Sequence, residues 1–115
     1  MWNLLKFAVL MAALSTAASG QDLSGTTLVM GIGQRSCAYW RESPAKIEDG
    51  KNWIRGFWTG LNYMNDANHS VGKQTDPAGI LAEIDKECDA KPSAQLGAAT
   101  ANVFMEMAKS HAPRP

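Results

Sequence analysis

Two cysteines, Cys37 and Cys88, constrain this 115-residue chain more than any other feature. Their meaning depends on the compartment. In a small exported protein an even cysteine count reads as a disulfide, because no thiol pool outside the cytoplasm keeps the sulfurs reduced. With two cysteines the pairing is unique. The bridge spans 51 positions, from 37 to 88. On the chain-entropy account such a loop contributes about 4 kcal/mol, against a total of roughly 5–10 kcal/mol for a domain of this size. The bond therefore bears on whether the chain folds at all.

Export is read from the first twenty residues. Lys6 gives a minimal positive start, and Phe7 to Leu14 is an unbroken apolar run. Ser15 to Gly20 is small and polar, with Ala18 and Gly20 at the −3 and −1 places of a cleavage site. These are the three parts of a secretory signal peptide. The run is shorter than the roughly 20 apolar residues that span a bilayer, and no later stretch approaches that length. The expectation is a signal peptide over 1–20, a leader segment over 21–33, a helical domain over 34–109 and a disordered tail over 110–115. The mature protein is expected to be periplasmic, off the membrane once the signal is cleaved.

Other uses of the cysteines fit less well. Zinc would need Cys37, Cys88, His69 and His111 to converge, and none of the close ligand spacings of zinc sites is present. A nucleophilic thiol would need a neighbouring histidine and no second cysteine to oxidise it. His69 falls in a polar loop and His111 in the tail. No metal or other cofactor is expected.

Periodicity predicts an all-α fold, a small bundle of about four helices with one disulfide. Thr27 to Ile32 is short and apolar, a strand-like arm or the start of a helix, and Gly31 and Gly33 punctuate it. A lone Gly-x-Gly with no third glycine is a bend rather than a phosphate loop. Ser36 can cap a short helix carrying Cys37, Trp40 and Arg41, with Pro44 ending that turn. From about Ile47 to Met64, apolar residues at Ile47, Ile54, Phe57, Trp58, Leu61 and Met64 make a helical stripe. Gly56 and Gly60 lie one turn apart in that helix, which predicts another helix close to their face, since each glycine costs about 1 kcal/mol relative to alanine.

Asp66 to Gly72 reads as a loop. Thr75 or Asp76 then caps a third helix with Pro77 at its first position. Its buried stripe is Ile80, Leu81, Ile84 and Cys88. After Pro92, Ser93 is expected to cap a fourth helix with Leu96, Ala99, Val103, Phe104 and Met107 inside.

Charge excludes some functions. The chain carries 11 basic and 11 acidic residues, and a nucleic-acid binder would show a basic excess. Glu83, Asp85, Glu87 and Asp89 alternate at a spacing of two, which on a helix sends neighbours to different faces. They read as a solvated acidic face, not an acid–base pair. With no nucleophile–base constellation, the chain is expected not to be an enzyme.

Aromatic residues are more telling. Tyr39, Trp40, Trp53, Phe57, Trp58 and Tyr63 fall between positions 39 and 63. Some must fill the core. Others are available as anchors for another protein, since aromatic side chains dominate such contacts. Trp40, Trp53, Phe57 and Trp58 are the candidate protein-binding residues.

The ordered motifs carry a resemblance. Ser36-Cys37-Ala38-Tyr39-Trp40 is followed by Trp53-Ile54-Arg55-Gly56-Phe57-Trp58-Thr59-Gly60-Leu61-Asn62. Thr75-Asp76 then opens a helix, Cys88 falls shortly before Pro92, and an Ala-rich helix closes the chain. Over residues 34–108 this resembles the small periplasmic acid-stress chaperones of the HdeA/HdeB type. It is also similar to the periplasmic immunity proteins that neutralise type VI secretion amidase effectors. The first resemblance implies a non-enzymatic chaperone whose partners are unfolded proteins and whose disulfide joins Cys37 and Cys88. The second implies an inhibitor with one dedicated effector such as a cell-wall amidase. A homodimer is compatible with the balanced charge.

Overall fold

Each helix begins where a capping side chain meets the right successor. The computed structural model describes residues 27–110; the expected signal peptide over 1–20, leader residues 21–26 and tail residues 111–115, with His111, lie outside the described residues. A 3₁₀ turn spans Gly31–Gln34, followed by α1 (Cys37–Trp40), α2 (Pro44–Met64), α3 (Pro77–Ala90) and α4 (Leu96–Ser110). The fold is all-α, a four-helix arrangement closed by one disulfide between Cys37 and Cys88, whose Cα atoms stand 5.3 Å apart. Among the described residues the only β pairing is an isolated bridge between Ser36 and Gln95.

The Ser36 hydroxyl accepts from the Tyr39 N–H at 3.1 Å and starts α1. Ser43 accepts from the Lys46 N–H at 3.2 Å, with Pro44 in the first turn, and starts α2. Pro44 therefore opens the long helix instead of only closing the short one, so α2 begins three residues before Ile47. Asp76, not Thr75, caps α3 by accepting from the Gly79 N–H at 2.7 Å. Ser93 caps nothing: α4 starts three residues later, at Leu96. Pro92 and Ala94 are taken up by backbone bonds to α1, the Ala38 N–H donating to Pro92 O at 3.0 Å and the Cys37 N–H to Ala94 O at 2.8 Å, and the Leu96 N–H donates to Arg35 O at 2.9 Å.

α4 is the centre. Its Leu96, Ala99, Thr100, Val103 and Phe104 are buried, and α2, α3 and the 3₁₀ turn all pack on it. Alanines keep it thin enough for that. Thr100 is buried without penalty because its hydroxyl donates to Leu96 O at 2.8 Å. α2 and α3 meet each other little; both lean on α4 instead. In α2 the buried residues are Gly50, Ile54 and Trp58. Ile47, Phe57 and Leu61 are half-buried. Met64, expected inside, is 75% exposed, because α2 outruns the core it packs against.

Two expected boundaries shift. Ile32 and Gly33, assigned above to the leader, are buried, and Ser110, assigned to the tail, is the last helical residue of α4. Trp53 ties the Ile32 segment to α2, its indole N–H donating to Met30 O at 2.7 Å. The Trp53 ring lies over Gly33 and within van der Waals reach of Gly97, where any side chain would meet it. The Gly-x-Gly is thus a seat for an indole.

Candidate protein-binding site

The tryptophans divide by their indole nitrogens. A buried indole N–H needs an acceptor, and each of three donates to a backbone carbonyl. Trp40 donates to Ile47 O at 3.1 Å and lies 3% exposed over Gly50. Trp58 donates to Val71 O at 2.9 Å and meets Phe104 edge-on at 5.0 Å. Trp40 and Trp58 are thus core side chains, and as free docking anchors they are corrected. Trp53 is half-buried and meets the half-buried Phe57 with ring centroids 4.8 Å apart and planes tilted by 36°. These two of the four candidates keep surface to offer a partner.

Beside Trp53 and Phe57 the outer face of α2 is open. A Cβ built at Gly56 or Gly60 would have nothing within 4 Å. The helix expected to approach them is absent among the described residues. From Gly56 to Asn65 the helix carries no charged residue. Tyr63, 79% exposed, and Met64 stand at its end. Sequence periodicity missed Met64 because it placed the residue on the inner stripe.

The loop after α2 is fixed by one side chain. The Asn62 amide accepts from the Val71 N–H at 2.7 Å and donates to Val71 O at 3.1 Å, mimicking a strand pair. Val71 is 2% exposed. His69 Nδ1–H donates to the Asn62 carbonyl at 3.0 Å, sharing it with the Asn65 N–H at 3.3 Å. At Gly72 a φ of +94° and the nearby Ile80 and Trp58 side chains favour glycine. Asn62→Ala strands the buried Val71 N–H and is expected to cost about 2 kcal/mol. A urea midpoint falling without a change in slope would record it.

Between α2 and α3 an apolar slot of about 170 Å³ remains, walled by Ile54 and Trp58 on one side and Pro77, Ile80 and Leu81 on the other. Ile80 and Leu81 are consequently half-buried, not core as their stripe implied. A wider groove of about 770 Å³ runs between α3 and α4. It is mostly polar at its rim, where Glu83, Glu87 and Glu106 each lie within 3.5 Å of a lysine.

The acidic residues of α3 split in a way that spacing of two did not reveal. Asp85 and Asp89 are four apart and share a face. Both accept from Arg41, at 2.7 Å each, tying α1 to α3 beside the disulfide. Burial opposes the Arg41 charge, but the two carboxylates outweigh it and raise its pKa above the ordinary value. Lys46, hydrogen-bonded to Glu42, is also raised against a smaller opposing desolvation. Lys46 and Arg35 sit 3.8 and 4.0 Å from the Tyr39 ring.

Cys37 and Cys88 are bonded to each other, which removes the thiolate and zinc readings. Among the described residues no three His, Cys, Asp or Glu side chains gather as a metal site, and no helix is long and apolar enough to cross a membrane. No protein-family model, curated protein or solved structure matches the chain.

Proposed function

We propose that this chain is a non-enzymatic exported protein of the periplasm that works by binding other proteins, in the manner of a small acid-stress chaperone. One observation carries the reading: the outer face of α2 offers uncharged surface, ending in exposed Tyr63 and Met64, that no other described part of the chain covers. Tyrosine and methionine are among the residues that contact surfaces favour. The electrostatics support acid loosening. The clamp between α1 and α3, and the other pairs above, each require an ionised carboxylate. Below about pH 3 carboxylates are neutral, leaving ten basic side chains and two histidines charged after the signal is removed. Repulsion of that size expands a small fold and exposes apolar surface.

The test is light scattering of an acid-labile enzyme held at about pH 2–3, with and without the protein. Suppression of aggregation at near-stoichiometric ratios is expected, and unchanged aggregation removes the chaperone reading. A second reading, an immunity protein for a periplasmic effector, is favoured by the same α2 face being open in the folded form, without acid. It expects one dominant partner from a periplasmic extract at pH 7, with about nanomolar affinity. The chaperone expects many partners, and only in acid.

A further inference from the structure

We infer that the slot between α2 and α3 takes a single apolar side chain of a partner protein, one flanked in the partner by carboxylates. Ile54, Trp58, Pro77, Ile80 and Leu81 make a wall that is nearly all carbon, and Arg55 supplies the only charge in the lining. The volume, about 170 Å³, is small. A cavity of about 150 Å³ holds one benzene ring, so this slot fits one aromatic or branched side chain and excludes a drug-sized molecule. Pockets of this scale that receive one anchor are where contact energy concentrates.

Charge selects the anchor's neighbours. Arg55 is exposed and its guanidinium reaches only the Asn52 amide oxygen, at 3.0 Å. Among the described residues it has no carboxylate within ion-pair distance, unlike Arg41, which holds Asp85 and Asp89. The acidic residue at the start of α3, the cap Asp76, accepts from the Gly79 N–H. The positive end of the α3 dipole, at Pro77 on the slot's wall, is already met by the Asp76 carboxylate, so Arg55 alone carries the preference for an anion. A lysine beside the anchor would meet Arg55 with like charge.

Only the choice of a protein side chain as occupant rests on the function proposed above. The probes are two capped tripeptides, acetyl-Glu-Leu-Glu-amide and acetyl-Lys-Leu-Lys-amide, and hexanoate as a free amphiphile. Each is titrated into the mature, disulfide-bonded protein at pH 7 while the Trp58 indole and the Ile54, Ile80 and Leu81 methyl signals are followed by NMR.

The acidic peptide is expected to move those signals at millimolar concentration, about three- to fivefold more tightly than the basic one, as one exposed charge pair allows. Arg55→Glu, a surface change that leaves the fold in place, should reverse the order. Equal binding of the two peptides, indifference to Arg55→Glu, shifts confined to other residues, or no shift at all would overturn the inference. Hexanoate binding more tightly than either peptide would overturn the peptide occupant. The aggregation assay separates the two readings. Suppression without peptide binding removes the slot and leaves the chaperone; peptide binding without suppression does the reverse.

Discussion

Cys37→Ala/Cys88→Ala is expected to lower stability by about 4 kcal/mol and the melting temperature by about 15–30 °C, at 4–8 °C per kcal/mol for a domain this size. The bridge closes a loop containing all of α2, the loop after it and most of α3. Without it the unfolded chain regains the freedom of that loop, while the folded chain loses little contact. Backbone bonds from Cys37 to Ala94 and from Ala38 to Pro92 still hold α1 against the α3–α4 turn. The fold should therefore survive in the cold and melt early. Thermal unfolding followed by circular dichroism, with the wild type scanned oxidised and reduced, checks this. A shift below about 5 °C would mean that these backbone bonds and the Arg41 clamp already restrain the reduced chain.

That prediction draws on what sequence reveals well. Helix starts were legible where a cap residue stands before a proline, as at Asp76-Pro77. They were obscured where two caps compete, as Ser93 does with the backbone bonds that carry the chain to Leu96. The disulfide was legible because only one pairing exists. Burial was legible at Ile54 and Trp58, at Ile84 and Cys88 and from Leu96 to Phe104, and failed at the end of α2. Met64 continues the stripe of Ile54 and Trp58, but the core ends before it does. The slot could not be read at all. Ile80 and Leu81 have the pattern of core residues, and only the way α2 and α3 both lean on α4 leaves them half-covered. Arg55 is one of several surface cations until the structure shows which apolar residues it adjoins. The indole of Trp53 explains Gly31 and Gly33, a link between positions 20 or more apart that no local pattern encodes.

Glycines in α2 give the second large effect, because the same substitution should act in opposite directions along one helix. Alanine at any interior helical position gains about 1 kcal/mol over glycine from backbone entropy alone. At Gly50 that gain is overwhelmed. The new methyl would collide with the Trp40 indole, which is 3% exposed and tied to Ile47 O. Overpacking of this kind costs roughly 1–3 kcal/mol, more where the ring cannot shift. Gly50→Ala should therefore destabilise by about 2 kcal/mol and lower the melting temperature by about 8–16 °C. At Gly56 and Gly60 nothing stands within 4 Å of the added methyl, so each alanine should raise it by about 4–8 °C. The paired variant Gly56→Ala/Gly60→Ala then separates stability from function. If the α2 face is the surface that meets other proteins, two methyls on it should hold a partner's backbone away and weaken capture even as the fold gains stability. Loss of stability in the paired variant would show instead that something already covers this face in solution. Higher stability with undiminished capture would move the binding surface elsewhere on the molecule.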